Sequence, residues 1–164
     1  MVTFTGTSAD EIINGGPGDE EDTLNGNGGN DTLHGGEGND TLNGSDNGDR
    51  LNGAGGVNEL YGGGGNDSMV GGAGNDLIDA GIDADLVEGG LGNDTIVGSE
   101  GADTIDGGDG NDVLDGGTGA DRSASSKPMS EDLSSGIRFC PAVGTSKRTP
   151  EEFIAEGHLG IELC

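Results

Sequence analysis

The chain has 164 residues, of which 38 are glycine and only Phe4, Tyr61, Phe139 and Phe153 are aromatic. Acidic residues outnumber basic ones 32 to 6, for a net charge of -26. That balance argues against nucleic acid or an anionic membrane surface as partner, no apolar run reaches transmembrane length, and low hydrophobicity with high charge is the composition of a chain that stays disordered unless something offsets the charge.

In chain order, residues 1–21 predict an opening segment with a first, irregular repeat. Asp10 and Ile12 stand two apart, and the next such pair, Asp22 and Leu24, follows after GGPGDEED. Against a nine-residue step this implies three inserted residues and a distorted turn, with Pro17 placed where a missing N–H does little harm. The first residues, MVTFTGTSADE, have neither a basic segment nor an apolar core, so no signal peptide is expected there.

From Asp22 onward the spacing locks to nine in the pattern G-G-x-G-x-D-x-U-x, where U is a large apolar residue; residues 62–79 hold two clean copies. The sixth place is filled by Asp22, Asp31, Asp40, Asp49, Asn58, Asp67, Asp76, Asp85, Asp94, Asp103, Asp112 and Asp121. The eighth is filled by Leu24, Leu33, Leu42, Leu51, Leu60, Met69, Ile78, Val87, Ile96, Ile105 and Leu114, until Ser123 breaks the series. Disorder does not need an apolar residue at every ninth position, so the period itself predicts a fold. The glycines at places one, two and four permit positive φ and close backbone approach. They include Gly35, Gly36 and Gly38; Gly62, Gly63 and Gly65; Gly71, Gly72 and Gly74; Gly89, Gly90 and Gly92; and Gly107, Gly108 and Gly110. The asparagine that often occupies place five, as at Asn39 and Asn66, is read as a residue tolerant of the left-handed region.

Six residues of turn leave x-U-x as a three-residue strand with U pointing inward. So short a strand must stack on copies of itself, which predicts an all-β solenoid with two nonapeptides per coil. Neighbouring coils then lie ~4.8 Å apart. Stacking aligns the sixth places into two ladders, one of Asp31, Asp49, Asp67, Asp85, Asp103 and Asp121, the other of Asp22, Asp40, Asn58, Asp76, Asp94 and Asp112. Like charges at that spacing repel, so each ladder calls for cations between coils. Carboxylates with turn carbonyls form an all-oxygen donor set, which suits calcium better than the smaller, strictly octahedral magnesium. The competing reading is Asx-type capping of each turn, which accounts for single aspartates but not for two ladders. Asn58 weakens its ladder, Asn47 and Asp83 replace fourth-place glycines, and Ala80 replaces a first-place glycine.

This pattern is a recognised calcium-binding β-helix repeat, and residues 22–121 resemble the RTX (hemolysin-type) calcium-binding repeat family. The resemblance implies a right-handed parallel β-roll, several Ca2+ ions, and glycine-turn carbonyls completing each site. It also implies export of an extracellular protein by a type I machine that reads an uncleaved C-terminal signal.

Residues 122–164 differ in composition, with six acids against five bases. Ser/Lys/Pro at 123–128 reads as a linker, and Thr149-Pro150-Glu151-Glu152 as a helix start ended by Gly157. Cys140, Gly144-Thr145 and Thr149-Pro150 are weakly similar to the opening of a Hint (hedgehog/intein) domain. Cys140 and Cys164 are either free thiols or one disulfide. Leu133, Ile137, Phe139 and Val143 supply enough apolar surface to cap one end of the solenoid.

Neither H-E-x-x-H nor G-x-S-x-G occurs, and His34 falls on an outward strand position. The expected function is therefore a non-enzymatic module that folds on extracellular calcium. The alternatives are a C-terminal fragment of a secreted RTX enzyme or toxin, or a truncated RTX–Hint precursor. Outward apolar residues Val70, Leu77, Leu86, Val97 and Val113 mark where another copy or a neighbouring domain would touch.

Overall fold

The computed structural model describes residues 1–16, Gly18 and residues 20–124. The expectations for Pro17 and for residues 125–164 (linker, helix start, Hint-like opening, cap and cysteines) lie outside the described residues.

Every regular element described is a β-strand, and every pairing is parallel. Two sheets face each other. One stacks β1 (Val2–Thr5), β3 (Asp22–Gly28), β5 (Thr41–Asp46), β7 (Glu59–Gly64), β9 (Leu77–Ile82), β11 (Thr95–Val97) and β14 (Val113–Asp115), with the short β12 (Glu100–Gly101) and β15 (Thr118–Gly119) extending its last turns. The other stacks β2 (Ile12–Asn14), β4 (Thr32–Gly36), β6 (Arg50–Gly55), β8 (Ser68–Ala73), β10 (Leu86–Leu91), β13 (Thr104–Asp109) and β16 (Arg122–Ala124). The chain alternates between the sheets, so two nonapeptides complete one coil, as the period requires.

Register carries the core. Leu24 pairs with Leu42, Leu42 with Leu60, Leu60 with Ile78, and Ile78 with Ile96. Opposite them Leu33, Leu51, Met69, Val87 and Ile105 form the second file. All of these are at most 2 % exposed. The core is thus two columns of one apolar side chain per strand, and each coil buries its apolar residue only against the coils beside it.

The strands are longer than x-U-x. Six-residue strands such as Ser68–Ala73 run from place seven through place three of the following repeat, and the first-place residue is buried with U. A first-place glycine therefore faces inward on the same side as U, two positions on. Ala80, which takes that place in β9, is fully buried and joins the core.

The first coil has a different phase from that expected. Phe4 pairs with Leu24 and Ile13 with Leu33, so Phe4 and Ile13 take the inward places, and Ile12 is 74 % exposed. Val2 and Glu11 stand in the sixth places, nine apart like the rest. Eleven positions then separate Glu11 from Asp22. The turn after Gly15 thus carries two extra residues, not three, and Asp10 and Ile12 are out of register. The misreading arose because this coil has no aspartate in a sixth place to mark its phase.

Among the outward apolar residues, Leu77 and Val113 lie on one sheet with Thr95 between them, and Leu86 lies on the other. They do not form one apolar face, and singly exposed apolar residues are ordinary on protein surfaces.

Positive φ is concentrated at places two and four. Gly36, Gly63, Gly72, Gly90 and Gly108 adopt it at place two, and Gly38, Gly65, Gly74, Gly92 and Gly110 at place four. Ala54, with φ of 73°, holds place two at a cost glycine would not incur. At Gly72 an added Cβ would also drive into the Ala54 carbonyl oxygen of the preceding coil. Ala54→Gly should therefore stabilise the calcium-loaded roll by roughly 0.5–1 kcal/mol after allowing for glycine's chain entropy. Gly72→Ala should destabilise it by more than about 1 kcal/mol. Urea unfolding in saturating calcium measures both, and equal midpoints for the two variants would contradict the assignment.

Candidate metal centre

The sixth-place side chains lie where the chain leaves one sheet for the other, and the solenoid buries them. Asp31, Asp40, Asp49, Asp67, Asp76, Asp85, Asp94 and Asp103 are each at most 3 % exposed. One oxygen of each carboxylate has a backbone partner in the preceding coil. Asp22 N–H donates to Asp40 Oδ1 at 2.8 Å, Asp31 N–H to Asp49 Oδ1 at 2.7 Å, and Asp49 N–H to Asp67 Oδ1 at 2.7 Å. The same bond, at 2.8 to 3.1 Å, runs on through Asp85, Asp94, Asp103, Asp112 and Asp121. The aspartates therefore do cap backbone N–H groups, but from coil to coil rather than within their own turn.

The second oxygen is the notable one. Oδ2 of Asp31, Asp40, Asp49, Asp67, Asp76, Asp85, Asp94 and Asp103 is buried without a hydrogen-bond partner. All but Asp85, whose repeat has Ala80 at place one, point into a cradle left by a missing Cβ. A methyl on Gly35 would stand 2.6 Å from Asp40 Oδ2 and 2.9 Å from the Gly53 carbonyl oxygen of the next coil. On Gly71 it would stand 2.5 Å from Asp76 Oδ2 and 2.6 Å from the Gly89 carbonyl oxygen; on Gly89, 2.5 Å from both Asp94 Oδ2 and the Gly107 carbonyl oxygen. Gly62 sits in the same way against Asp67 Oδ2 and the Ala80 carbonyl oxygen, and Gly107 against Asp112 Oδ2. At Gly35, Gly62, Gly71 and Gly89 glycine thus answers the approach of two oxygens and not a demand of φ, for none of them is among the positive-φ residues; Ala80 is the exception that holds this place with a Cβ. Place-two and place-four glycines have another neighbour, the same-place carbonyl of the preceding coil, as Gly90 has Gly72 and Gly92 has Gly74.

A buried ionised oxygen without a donor is costly, and a hard cation is the partner that such an oxygen and nearby carbonyls suit. Among the described residues no group of three or more His, Cys, Asp or Glu side chains converges on one point. The carboxylates are spread one per turn, so a cation there must draw on main-chain oxygen as well.

Place five has a role that the sequence reading missed. Asn39 Oδ1 accepts from Val57 N–H, Asn66 Oδ1 from Ala84 N–H, Asn75 Oδ1 from Asn93 N–H, and Asn93 Oδ1 from Asn111 N–H. These asparagines tie each coil to the next and do not adopt positive φ; Asn47 and Asp83 at place four do, with φ of 77° and 80°.

Two turns in the first coil are closed differently. Gly16 N–H donates to Asp22 Oδ2 at 2.6 Å, and Thr7 N–H donates to Glu11 Oε2 at 2.6 Å. There a place-two N–H meets the inner carboxylate oxygen, and neither Thr7 nor Gly16 has positive φ. Asp22, expected to be equivalent to the other ladder members, is satisfied within the protein itself.

With these ladders in view, the sequence comparison is decisive. The RTX calcium-binding nonapeptide repeat, as a family model of four copies, matches overlapping stretches at residues 5–42, 18–51, 43–78, 52–87, 61–96 and 88–122. The chain belongs to the RTX calcium-binding repeat family. No curated protein matches it. RTX nonapeptides bind calcium, and copies in this number imply several Ca2+ ions. The roll is a structural calcium-binding module, and no helix described is long and apolar enough to cross a membrane.

The ladder carboxylates resist ionisation. Burial pushes Asp49, Asp67 and Asp94 up to about 6 and Asp85 to about 7; the N–H bond to each opposes this, and the neighbouring ladder carboxylate adds to it. Asp40, Asp76 and Asp103 are also raised, again chiefly by burial. A pKa raised on folding means that the metal-free roll binds protons more tightly than the unfolded chain. Protons thus support the metal-free roll fully below the ordinary carboxylate value, and that support is lost as pH rises through 6 to 7. In chelator, strand content measured by circular dichroism should increase as pH falls from 8 to 5. A coil spectrum unchanged across that range would refute the burial of these carboxyls.

Proposed function

We propose that this chain is a non-enzymatic module of a secreted protein, exported by a type I machine and folded outside the cell by calcium. The observation behind the reading is the row of buried aspartate oxygens without a donor. The proposed ligands are Asp31, Asp40, Asp49, Asp67, Asp76, Asp85, Asp94, Asp103, Asp112 and Asp121, with carbonyls of the glycine turns. Calcium supplies positive charge between coils that would otherwise repel through a net charge of -25 over residues 1–121. Binding to the folded roll and not to the open chain adds to stability by mass action. Extracellular calcium modules commonly bind at about 10⁻⁴–10⁻³ M, far above free cytosolic calcium. The chain is then extended while it is threaded out and folds where calcium is plentiful.

Far-UV circular dichroism at pH 8 should show coil in chelator and strand in millimolar calcium, with a sigmoidal titration that equal magnesium does not reproduce. Asp76→Ala removes the acceptor of Asn58 N–H, at 2.8 Å, and should raise the calcium midpoint; the orphaned N–H alone costs about 1–3 kcal/mol. Strand content indifferent to chelator at pH 8 would end the proposal.

A further inference from the structure

The ladder on the β1–β14 sheet is interrupted at its middle. Asn58 is fully buried at the sixth place between Asp40 and Asp76. Its Oδ1 accepts from Asp40 N–H at 2.9 Å, as an aspartate would, and its own N–H donates to Asp76 Oδ1 at 2.8 Å. Nδ2 therefore occupies the inner position held elsewhere by Oδ2. A methyl on Gly53 would stand 2.6 Å from Asn58 Nδ2 and 2.5 Å from the Gly71 carbonyl oxygen, so the cradle is the same and only the atom has changed. Exchanging the amide oxygen and nitrogen would set Nδ2 against Asp40 N–H, donor against donor, so the bond from Asp40 fixes the orientation. Nδ2 itself has no hydrogen-bond partner.

We infer that the Asn58 amide excludes a calcium ion, leaving a metal-free step that divides this ladder into separate calcium-binding blocks. An amide N–H2 presents two positively polarised hydrogens to the surrounding oxygens and repels a cation. The first coil differs: there the inner oxygen is kept and Gly16 N–H donates to Asp22 Oδ2. The opposite ladder has no such break, for its sixth places from Asp31 to Asp121 are all aspartate. The inference rests on the calcium reading of the ladders and concerns which positions take part.

The test counts ions on the full chain in saturating calcium, by native mass spectrometry or equilibrium dialysis with radioactive calcium. Asn58→Asp converts the inner nitrogen to oxygen and should bind one ion more than the wild type, with a lower calcium midpoint. Asn58→Ala should bind as many ions as the wild type, with a higher midpoint because Asp40 N–H loses its acceptor. An Asn58→Asp count equal to wild type overturns the inference, as does an Asn58→Ala count one lower, which would make the amide oxygen a ligand. Wild-type protein that binds no calcium would instead overturn the reading of the whole module, so the two failures are distinct.

Discussion

The roll depends on one divided carboxylate, repeated along two edges. Oδ1 of each ladder aspartate holds the N–H of the coil before it, and in most repeats Oδ2 faces a neighbouring carbonyl oxygen across a cradle left open by a first-place glycine. The first contact joins coils without regard to solvent. The second is unfavourable until a positive charge, or a proton, sits among those oxygens. A single residue type therefore supplies both the attachment between coils and the condition on which attachment holds.

The apolar core cannot carry that burden alone. Each strand contributes one large inward side chain, such as Leu60, and the next inward position is a glycine in most strands, or Ala80 after Ile78, which adds little apolar surface. Glycine also loses more conformational freedom on ordering than any other residue. What the core does supply is register: a slip of one residue would turn every leucine outward and every aspartate away from its N–H. The place-five asparagines hold that register on the outer edge, bonded to the following coil at Val57, Ala84, Asn93 and Asn111.

Much of this was legible in the sequence because a solenoid repeats its physics with its residues. The nine-residue period placed Leu24 to Leu114 inward and set the sixth places in two ladders, as the strand register has them. What escaped depended on contacts between coils, which a single repeat does not display. Nothing local distinguishes a first-place glycine needed for space from a place-two glycine needed for φ; the difference appears only when Asp40 Oδ2 and the Gly53 carbonyl are seen around Gly35. The same holds for Asn39, whose amide serves Val57 one coil away. The phase of the first coil was hidden for another reason: Val2 and Glu11 lack the aspartate signature, although Phe4 and Ile13, nine apart, carried the apolar half of it.

The departures from the repeat sort by what they leave at the inner oxygen position. Asn47, Asp83 and Ala54 keep the positive φ that glycine adopts at those places, at a cost in strain, and the ladders pass them unbroken. The altered turns at Glu11 and Asp22 give the inner oxygen an N–H already on the chain, and Asn58 replaces that oxygen with an amide nitrogen. A solenoid is stabilised step by step between neighbours, so steps that carry their own N–H have no need of an ion while the others wait for one. On the proposed calcium reading, the first coil is then less sensitive to calcium than the coils that follow it, and the Asn58 step takes up no ion of its own. Calcium dependence thus belongs to individual steps of the roll, and the atom facing each cradle decides it.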